Sequence, residues 1–147
     1  METIVIGNEF KEKYDFRETC FGIVRCDNKI LLVKKNNQYS LVGGGVEKDE
    51  SHRGCLNREF KEESGYIIDN IKELVRIDCY WLANNKYPLL SRCNIYEVSV
   101  SYDNIEEPIE KDSYIEWVDI NRVMDLLPLP YHKKAMEWYI NNFLVRD

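Results

Sequence analysis

Apolar and β-branched residues occur in short runs near the start of the chain. Two such runs, residues 21–25 and 30–33, flank Asp27 and Asn28. Because Asp and Asn favour tight turns between apolar runs, the pattern predicts a β-hairpin. Residues 39–42 form a further apolar run that predicts a third short strand.

The next segment changes from strand-like to helical character. Three consecutive glycines at 43–45 interrupt the periodicity. Good helix formers then fill residues 51–64 apart from Gly54, and the run stops at Gly65. Because glycine is the usual residue just past a helix C-terminus, the pattern predicts a helix over 51–64 that ends at Gly65.

Strand-like patterns return in the second half of the chain. Residues 71–81 and 89–100 predict two strands joined by a turn at 84–88. Residues 114–118 predict another short strand, and 121–127 predict a short helix. Apolar residues then recur at helical spacing, which predicts a terminal amphipathic helix: Ala135, Met136, Tyr139, Ile140 and Phe143.

The order of these elements indicates the fold class. Strands, one helix, more strands and a terminal helix predict an α/β fold in which a mixed β-sheet is sandwiched between α-helices. No Gly/Ser/Pro-rich linker or internal repeat divides the chain. We therefore predict a single domain over 1–147, with residues 1–16 as an N-terminal extension.

Composition and charge narrow the class of protein. The 147 residues include 26 Asp and Glu against 20 Lys and Arg, a formal net charge of −6. Broad binding to nucleic acid polymers or anionic membranes depends on Lys and Arg, so we expect neither partner. Five cysteines without a CxxC pair predict buried free thiols in a reducing compartment. No leader-like segment is apparent, so we expect a cytoplasmic protein.

Three glutamates share one face of the predicted helix. At 100° per residue, Glu63 lies about 40° from Glu59, and Glu62 lies about 60° away on the other side. Cys55 and Leu56 fall on the same face, so the acids border the side that turns toward the protein. A divalent cation would relieve their repulsion, and hard carboxylate oxygens match Mg²⁺ or Mn²⁺. The alternative is an ordinary solvated helix face.

The spacing around this helix resembles a known family motif. Five residues separate Gly44 from Glu50, seven separate Glu50 from Arg58, and REFKEESGY then ends at residue 66. This looks like the Nudix box, GX5EX7REUXEEXGU, over 44–66, with every fixed Gly, Glu and Arg present. Three positions depart from the usual residue type but keep its bulk: Val42, Phe60 and Tyr66.

The resemblance implies a divalent metal, usually Mg²⁺ with Mn²⁺ as the alternative, held against a diphosphate while water attacks phosphorus. Glu62 and Glu63 match the two principal metal-ligating glutamates of the family. Glu59 matches a glutamate that ligates metal or helps to activate the water. The carbonyl of Gly43 stands where a backbone ligand is found.

Further roles follow from the same resemblance. Glu50 matches an outer acid that orients the site, and Arg58 matches the arginine that pairs with the box carboxylates. Many family members also supply an acid from a loop after the box, as general base or extra metal ligand. The candidates here are Glu106, Glu107, Glu110 and Glu116. We choose Glu110 because it shortly precedes the predicted strand 114–118; a solvated acidic loop is the alternative.

Residues outside the box suggest where a substrate could bind. Arg17 and the Lys34–Lys35 pair could reach phosphates from strand ends. Four aromatic residues could stack on a base or pack in the core: Tyr39, Tyr80, Trp81 and Tyr87. We therefore take Arg17, Lys34, Tyr39 and Tyr80 as candidate substrate-binding residues.

These expectations lead to one predicted function and two alternatives. The resemblance implies a MutT-like, metal-dependent hydrolase that cleaves a diphosphate linkage in nucleoside diphosphate or triphosphate derivatives. One alternative is an ADP-ribose or NDP-sugar pyrophosphatase, and another is a non-catalytic nucleotide-binding sensor. The intact set Glu59, Glu62 and Glu63 favours the enzyme. We expect a small-molecule nucleotide partner and a monomer or homodimer.

Overall fold

The computed structural model describes residues 1–102 and 105–144. Within these ranges the chain forms nine strands and three helices. The strands are β1 (Glu2–Ile6), β2 (Asp15–Ile23), β3 (Arg25–Cys26), β4 (Lys29–Lys35), β5 (Gln38–Ser40), β6 (Val42–Gly45), β7 (Ile67–Ala83), β8 (Tyr87–Ser101) and β9 (Tyr114–Asp119). The helices are α1 (His52–Glu63), α2 (Ile120–Leu126) and α3 (Pro130–Phe143).

The larger sheet has five strands in the order β1-β7-β8-β2-β6. β7 and β8 form a long antiparallel hairpin, β2 runs parallel to β8, and β6 runs antiparallel to β2. β1 pairs in parallel with β7, so the segment 1–16, predicted as an extension, contributes an edge strand to this sheet. No strand was predicted there.

The smaller sheet joins the predicted hairpin to a distant strand. β4 pairs with β3 and β5 in sequence, and also with β9, which follows some eighty residues later. All of these pairings are antiparallel. β9 thereby places the segment that precedes it next to the end of β4, where part of the candidate site forms.

Two apolar layers lie on opposite sides of the sheets. α1 packs in one layer through Leu56 and Phe60, while α2 and α3 pack in the other. Neighbouring residues of β2 divide between them, since Cys20 belongs to the α1 layer and Phe21 to the α2–α3 layer. This alternation is the period of a strand that is buried on both faces. The predicted α/β fold with a mixed sheet between helices is confirmed.

The helix predicted over 51–64 is confirmed as α1. The hydroxyl of Ser51 accepts a hydrogen bond from the Gly54 N–H at 3.0 Å, which caps the helix N-terminus. At the other end, Gly65 adopts a φ of +75° and its N–H donates to the Phe60 carbonyl at 3.0 Å. Glycine adopts this left-handed conformation without a steric cost, so it ends the helix.

The three glycines at 43–45 continue a strand, although we predicted that they interrupt the pattern. β6 pairs Gly43 with Phe21 and Gly44 with Cys20. A side chain at Gly44 would put its Cβ 2.5 Å from Oε1 of Glu59. The glycines therefore let α1 bring its carboxylates against the strand backbone.

None of the helices in the described ranges is long and apolar enough to cross a membrane.

Candidate active site

Arg58 organises the acidic residues around the start and middle of α1. Its guanidinium donates two hydrogen bonds to the Glu50 carboxylate, from Nε to Oε2 and from Nη2 to Oε1, each 2.9 Å long. Nη1 donates to Oε1 of Glu59 at 2.9 Å, and Nη2 also donates to the carbonyl of Gly45 at 2.9 Å. Nη1 lies 3.5 Å from Oε2 of Glu62. One guanidinium thus fixes three carboxylates and the glycine strand.

The pairing leaves Glu50 strongly acidic. The hydrogen bonds from Arg58, helped by the N–H of Glu47, lower the pKa of Glu50 to about 2. Glu59 shows the opposite direction, because its burial raises the pKa and outweighs the hydrogen bond from Arg58. Arg58 and Glu50, the two residues predicted to orient the site, lie beside the α1 carboxylates.

Glu63 is the most deeply buried acid of the cluster, with a side chain only 3% exposed. Its Oε1 accepts a hydrogen bond from the Gly43 N–H at 2.9 Å, and its Oε2 lies 2.7 Å from the Nζ of Lys35. Burial raises the pKa of Glu63 to about 7, against the opposing effect of these two partners. A carboxyl group of this kind can hold or release a proton near neutral pH.

Lys35 joins Glu63 to the acid predicted outside the box. Its Nζ lies 2.6 Å from Oε2 of Glu110, which also accepts a hydrogen bond from the Ser113 hydroxyl at 2.8 Å. The hydrogen bond from Lys35 lowers the pKa of Glu110. Three separate segments, the end of β4, the end of α1 and the loop before β9, therefore meet here.

Main-chain hydrogen bonds hold the loop of Glu110 on the end of α1. The N–H of Glu106 donates to the Gly65 carbonyl, and the N–H of Glu110 donates to the Glu62 carbonyl, both at 2.9 Å. A Cβ at Gly65 would lie within van der Waals overlap of the Glu106 carbonyl. Gly65 therefore both ends the helix and lets the loop approach it.

Lys35, and not the predicted Lys34, lies beside the carboxylates. Lys34, which we predicted to contact substrate, lies away from the carboxylates with its Nζ 5.1 Å from the centre of the Tyr39 ring. Lys35 points into the cluster instead. Successive side chains of a strand alternate between its faces, so only one of the pair can reach α1.

The cluster carries an excess of negative charge. Two cationic side chains face six carboxylates, which leaves four uncompensated negative charges when all are ionised. The acids are Glu47, Glu50, Glu59, Glu62, Glu63 and Glu110. In the described ranges, no three His, Cys, Asp or Glu side chains are already arranged to hold a metal ion, and Arg58 and Lys35 contact the carboxylate oxygens of the cluster. The oxygen donor set nevertheless fits a hard divalent cation, and Lys35, 36% exposed, has room to withdraw.

A cavity of about 280 Å³ adjoins this cluster, between the larger sheet and the start of α3. Glu63, Lys35 and Gly43 line one end of it, and Trp81 and Tyr131 lie among its aromatic residues. Arg17 also lines the cavity from the exposed end of β2. It projects from the same face of β2 as Phe21, the face of the α2–α3 layer.

Two predicted substrate contacts lie elsewhere. The Tyr39 hydroxyl donates to Oε1 of Glu116 at 3.1 Å, and the Tyr80 hydroxyl donates to Oε1 of Glu9 at 3.2 Å. Neither tyrosine lines the cavity. Tyr80 alternates with Trp81 on β7, so Trp81 reaches the cavity and Tyr80 faces away from it.

Sequence reasoning did not select two residues that line the cavity from the first turn of α3, Tyr131 and His132. Their positions depend on how α3 packs on the larger sheet. The one signal in the sequence is an aromatic–histidine pair directly after Pro130, the residue at which α3 begins.

The sequence of this chain is similar to those of known hydrolases. The family model described as NUDIX domain matches residues 17–139. An ADP-ribose pyrophosphatase of Methanocaldococcus jannaschii is 41% identical over 61 residues, which are 38% of this chain and 36% of that protein. A putative hydrolase, 111R, of Invertebrate iridescent virus 3 is 32% identical over 78% of this chain and 66% of its own length.

Solved structures support the same architecture. A MutT NUDIX hydrolase from Burkholderia pseudomallei superposes with a TM-score of 0.67, covering 84% of this chain and 98% of that one at 24% identity. At 24% identity, this similarity supports the fold alone. The family model spans most of the chain, including all of α1 and the strands from β3 to β9. This chain therefore belongs to the Nudix family.

Proposed function

We propose that this chain hydrolyses a diphosphate linkage in a nucleoside diphosphate or triphosphate derivative, with Mg²⁺ or Mn²⁺ as its metal. One observation carries the proposal: Glu63 belongs to the acidic cluster and also lines the cavity. A phosphate chain that enters the cavity would therefore lie against the carboxylates. Membership of the Nudix family supports the same reaction class.

The residues of α1 would hold the metal. Glu59, Glu62 and Glu63 offer carboxylate oxygens, and the Gly43 carbonyl is the backbone candidate. A bound divalent cation supplies positive charge that a polyanionic substrate needs beside an acidic surface. Arg58 and Glu50 act as positioning residues, because their paired hydrogen bonds restrict the rotamers of the neighbouring glutamates.

Glu110 is suited to accept a proton from the attacking water. Its contact with Lys35 lowers its pKa, so the carboxylate is ionised at neutral pH. It stands beside Glu63, whose pKa is raised to about 7 by burial. Two neighbouring carboxyl groups with pKa values shifted in opposite directions are a frequent arrangement in acid–base catalysis.

The substrate class has two candidates. A nucleoside triphosphate suits a small cavity that takes one nucleoside, and Arg17 would contact its phosphates. ADP-ribose is the second candidate, because the archaeal relative of 41% identity over 61 residues is named an ADP-ribose pyrophosphatase. NDP-sugars are grouped with ADP-ribose in this second candidate class.

A substrate panel tests the proposal. The chain is incubated with Mg²⁺ or Mn²⁺ and each nucleoside triphosphate, ADP-ribose, NDP-sugars and dinucleoside polyphosphates, and the phosphate-containing products are identified. We expect turnover of at least one compound. Binding without turnover of any compound would favour the sensor alternative.

Matched variants test the site. We expect Glu62→Gln and Glu63→Gln to lower kcat by orders of magnitude while circular dichroism and the thermal midpoint show a folded protein. Glu107→Gln is the control, since this glutamate is exposed in the same loop as Glu110. Wild-type turnover in both α1 variants would refute the metal assignment.

We also propose a reducing compartment, the cytoplasm, for this chain. Its five cysteines are free thiols, and four of them are buried: Cys20, Cys55, Cys79 and Cys93. Free buried thiols are typical of proteins that fold without disulfide formation. Expression of a fluorescent fusion with fractionation checks this location.

A further inference from the structure

A second cavity lies between the β3–β4 turn, the end of β9 and two tyrosines, Tyr66 before β7 and Tyr102 after β8. Lys29, the first residue of β4, lines this second cavity, whereas Lys35, the last, contacts Glu63 in the acidic cluster. The strand has seven residues. Its two ends therefore lie about 20 Å apart at roughly 3.3 Å per residue. Among the described residues, the two cavities share no lining residue.

Three aromatic rings form one wall of the second cavity. The ring centroids of Tyr66 and Tyr102 are 5.9 Å apart, and that of Trp117 lies 6.3 Å from each. Tyr66 is buried, whereas Tyr102 is 51% exposed and Trp117 is partly exposed. Exposed faces of aromatic rings are platforms on which flat heteroaromatic rings stack. The volume of about 560 Å³ lies within the range of roughly 300–1,000 Å³ that small-molecule sites occupy.

Two carboxylates, those of Asp27 and Asp119, line the second cavity beside these rings. Asp119 and Trp117 are two residues apart on β9 and therefore project from the same face of the strand. Lys29 pairs with Asp119 across the sheet. Among the described lining residues, two carboxylates thus accompany one ammonium group, a net charge of −1 when all are ionised. This excess of negative charge disfavours a ligand that carries phosphate.

The carboxylates also determine which edge of a flat ring can bind. An ionised carboxylate accepts hydrogen bonds and donates none. Adenine and cytosine carry an exocyclic amino group that donates, whereas hypoxanthine and uracil carry a carbonyl oxygen at the same position. The ring N–H of uracil lies between two carbonyl oxygens, which repel a carboxylate. Aromatic faces next to carboxylates therefore favour an amino-substituted base.

We propose that the second cavity is a nucleoside-binding site, separate from the catalytic cluster. An amino-substituted base, adenine or cytosine, stacks on Tyr102 and Trp117, and its amino group donates to the carboxylates of Asp27 and Asp119. The negative charge of the site favours a nucleoside over a nucleotide. Binding here does not depend on the proposed hydrolysis, because no phosphate takes part.

Cys26 provides a local reporter for this site. It lines the second cavity and is exposed, whereas the other four cysteines are buried. The rate at which iodoacetamide alkylates Cys26 in the full chain is measured by peptide mass spectrometry, without metal. The probes are two matched pairs at millimolar concentration, cytidine with uridine and adenosine with inosine. Within each pair, a carbonyl oxygen replaces the amino group.

We expect cytidine or adenosine to slow the alkylation of Cys26 by about threefold or more at concentrations above its Kd. The partner that lacks the amino group should bind about fivefold or more weakly, the discrimination of one good base contact. If none of the four nucleosides protects Cys26, the proposal is wrong. Equal protection by both members of each pair would show that the carboxylates do not select the base, which also contradicts the proposal.

Variants of the two aspartates test the contact without disturbing the fold. Asparagine tolerates the φ of +54° at Asp27, and it can replace Asp119 as the N-cap of α2. We expect Asp27→Asn or Asp119→Asn to abolish the preference for the amino-substituted base. Asp125→Asn is the control, since Asp125 is exposed on α2 and does not line the second cavity. An unchanged preference in both of the first two variants would refute the site. Because no probe carries a phosphate, failure of the proposed hydrolysis would leave these results unaffected.

Discussion

The Nζ of Lys35 lies 2.7 Å from Oε2 of Glu63, so a lysine at the end of β4 neutralises a buried glutamate at the end of α1. The same Nζ reaches Oε2 of Glu110 at 2.6 Å. A cation is thus already in place among the carboxylates that are proposed to bind metal. Metal and lysine would compete for the same oxygens.

Replacing Lys35 by methionine tests this competition. Two unit charges about 4 Å apart interact by roughly 1–4 kcal/mol between bulk water and a protein surface, so Lys35→Met should tighten Mg²⁺ binding by about tenfold. Isothermal titration calorimetry without substrate measures the affinity. Lys34→Met is the matched control, because Lys34 contacts Tyr39 and not the cluster. Equal affinities in the wild type and both variants would contradict the competition.

Adjacent glycines of β6 provide a second matched pair. In Gly44→Ala the new Cβ would lie 2.5 Å from Oε1 of Glu59, so the glutamate must move. Displacement of a site group by about 1 Å can cost about a hundredfold in rate, which is the loss of kcat that we expect.

Gly45→Ala provides the comparison, since its Cβ would meet Arg17 Nη2 at 3.8 Å, an ordinary contact. Steady-state kinetics on the best substrate of the panel compares the two variants. A loss as large in Gly45→Ala as in Gly44→Ala would show that strand distortion, and not the position of Glu59, sets the rate.

The forked contact of Arg58 with Glu50 should stabilise the fold. Lysine keeps the charge but cannot form two parallel hydrogen bonds, so Arg58→Lys should lower the free energy of unfolding by about 1.5–3 kcal/mol. Urea denaturation measures this quantity. Arg53→Lys is the control, because Arg53 makes one exposed hydrogen bond to the Asp69 carbonyl at 3.3 Å, and we expect a change within about 0.5 kcal/mol. Equal losses in the two variants would argue against a special role of the fork.

His132 should make stability depend on pH. Burial lowers its pKa to about 3 in the folded chain, whereas an unfolded histidine titrates near 6.5. Below pH 6.5 the unfolded state therefore binds more protons, and stability falls as pH decreases toward 3, with a limiting slope of about 1.4 kcal/mol per pH unit.

Comparison with His132→Leu isolates this contribution from that of Glu63, whose raised pKa acts in the opposite direction between its unfolded value and about 7. Urea denaturation at pH 7, 6 and 5 should show the variant gaining stability relative to the wild type as pH falls. A difference between the two proteins that stays constant over this range would contradict the assigned pKa.

The sequence predicted the parts of the site that lie on one helix. Glu59, Glu62 and Glu63 share a face because helical geometry places i, i+3 and i+4 together, and Arg58 and Glu50 stand at fixed offsets from them. The extent of α1 followed from the run of helix formers over 51–64 and from Gly65, the glycine that ends it. These features are local, so residue spacing is enough to predict them.

Features that depend on packing between distant segments were harder to predict. The structure places Lys35, and not the predicted Lys34, beside the α1 carboxylates, because the face that a strand residue takes depends on which side of the sheet is covered. Trp81, and not the predicted Tyr80, lines the cavity for the same reason. His132 reaches the cavity through the docking of α3, which no pattern near that residue specifies.

The loop that carries Glu110 is attached to α1 by main-chain groups, through the carbonyls of Glu62 and Gly65. Backbone hydrogen bonds do not depend on side-chain identity. The number of residues between Glu106 and Glu110, whose N–H groups make these two hydrogen bonds, should therefore be strictly limited, whereas most side chains of the loop could be exchanged. A library that randomises residues 105–109 at constant length should retain many active members, and single insertions there should retain few.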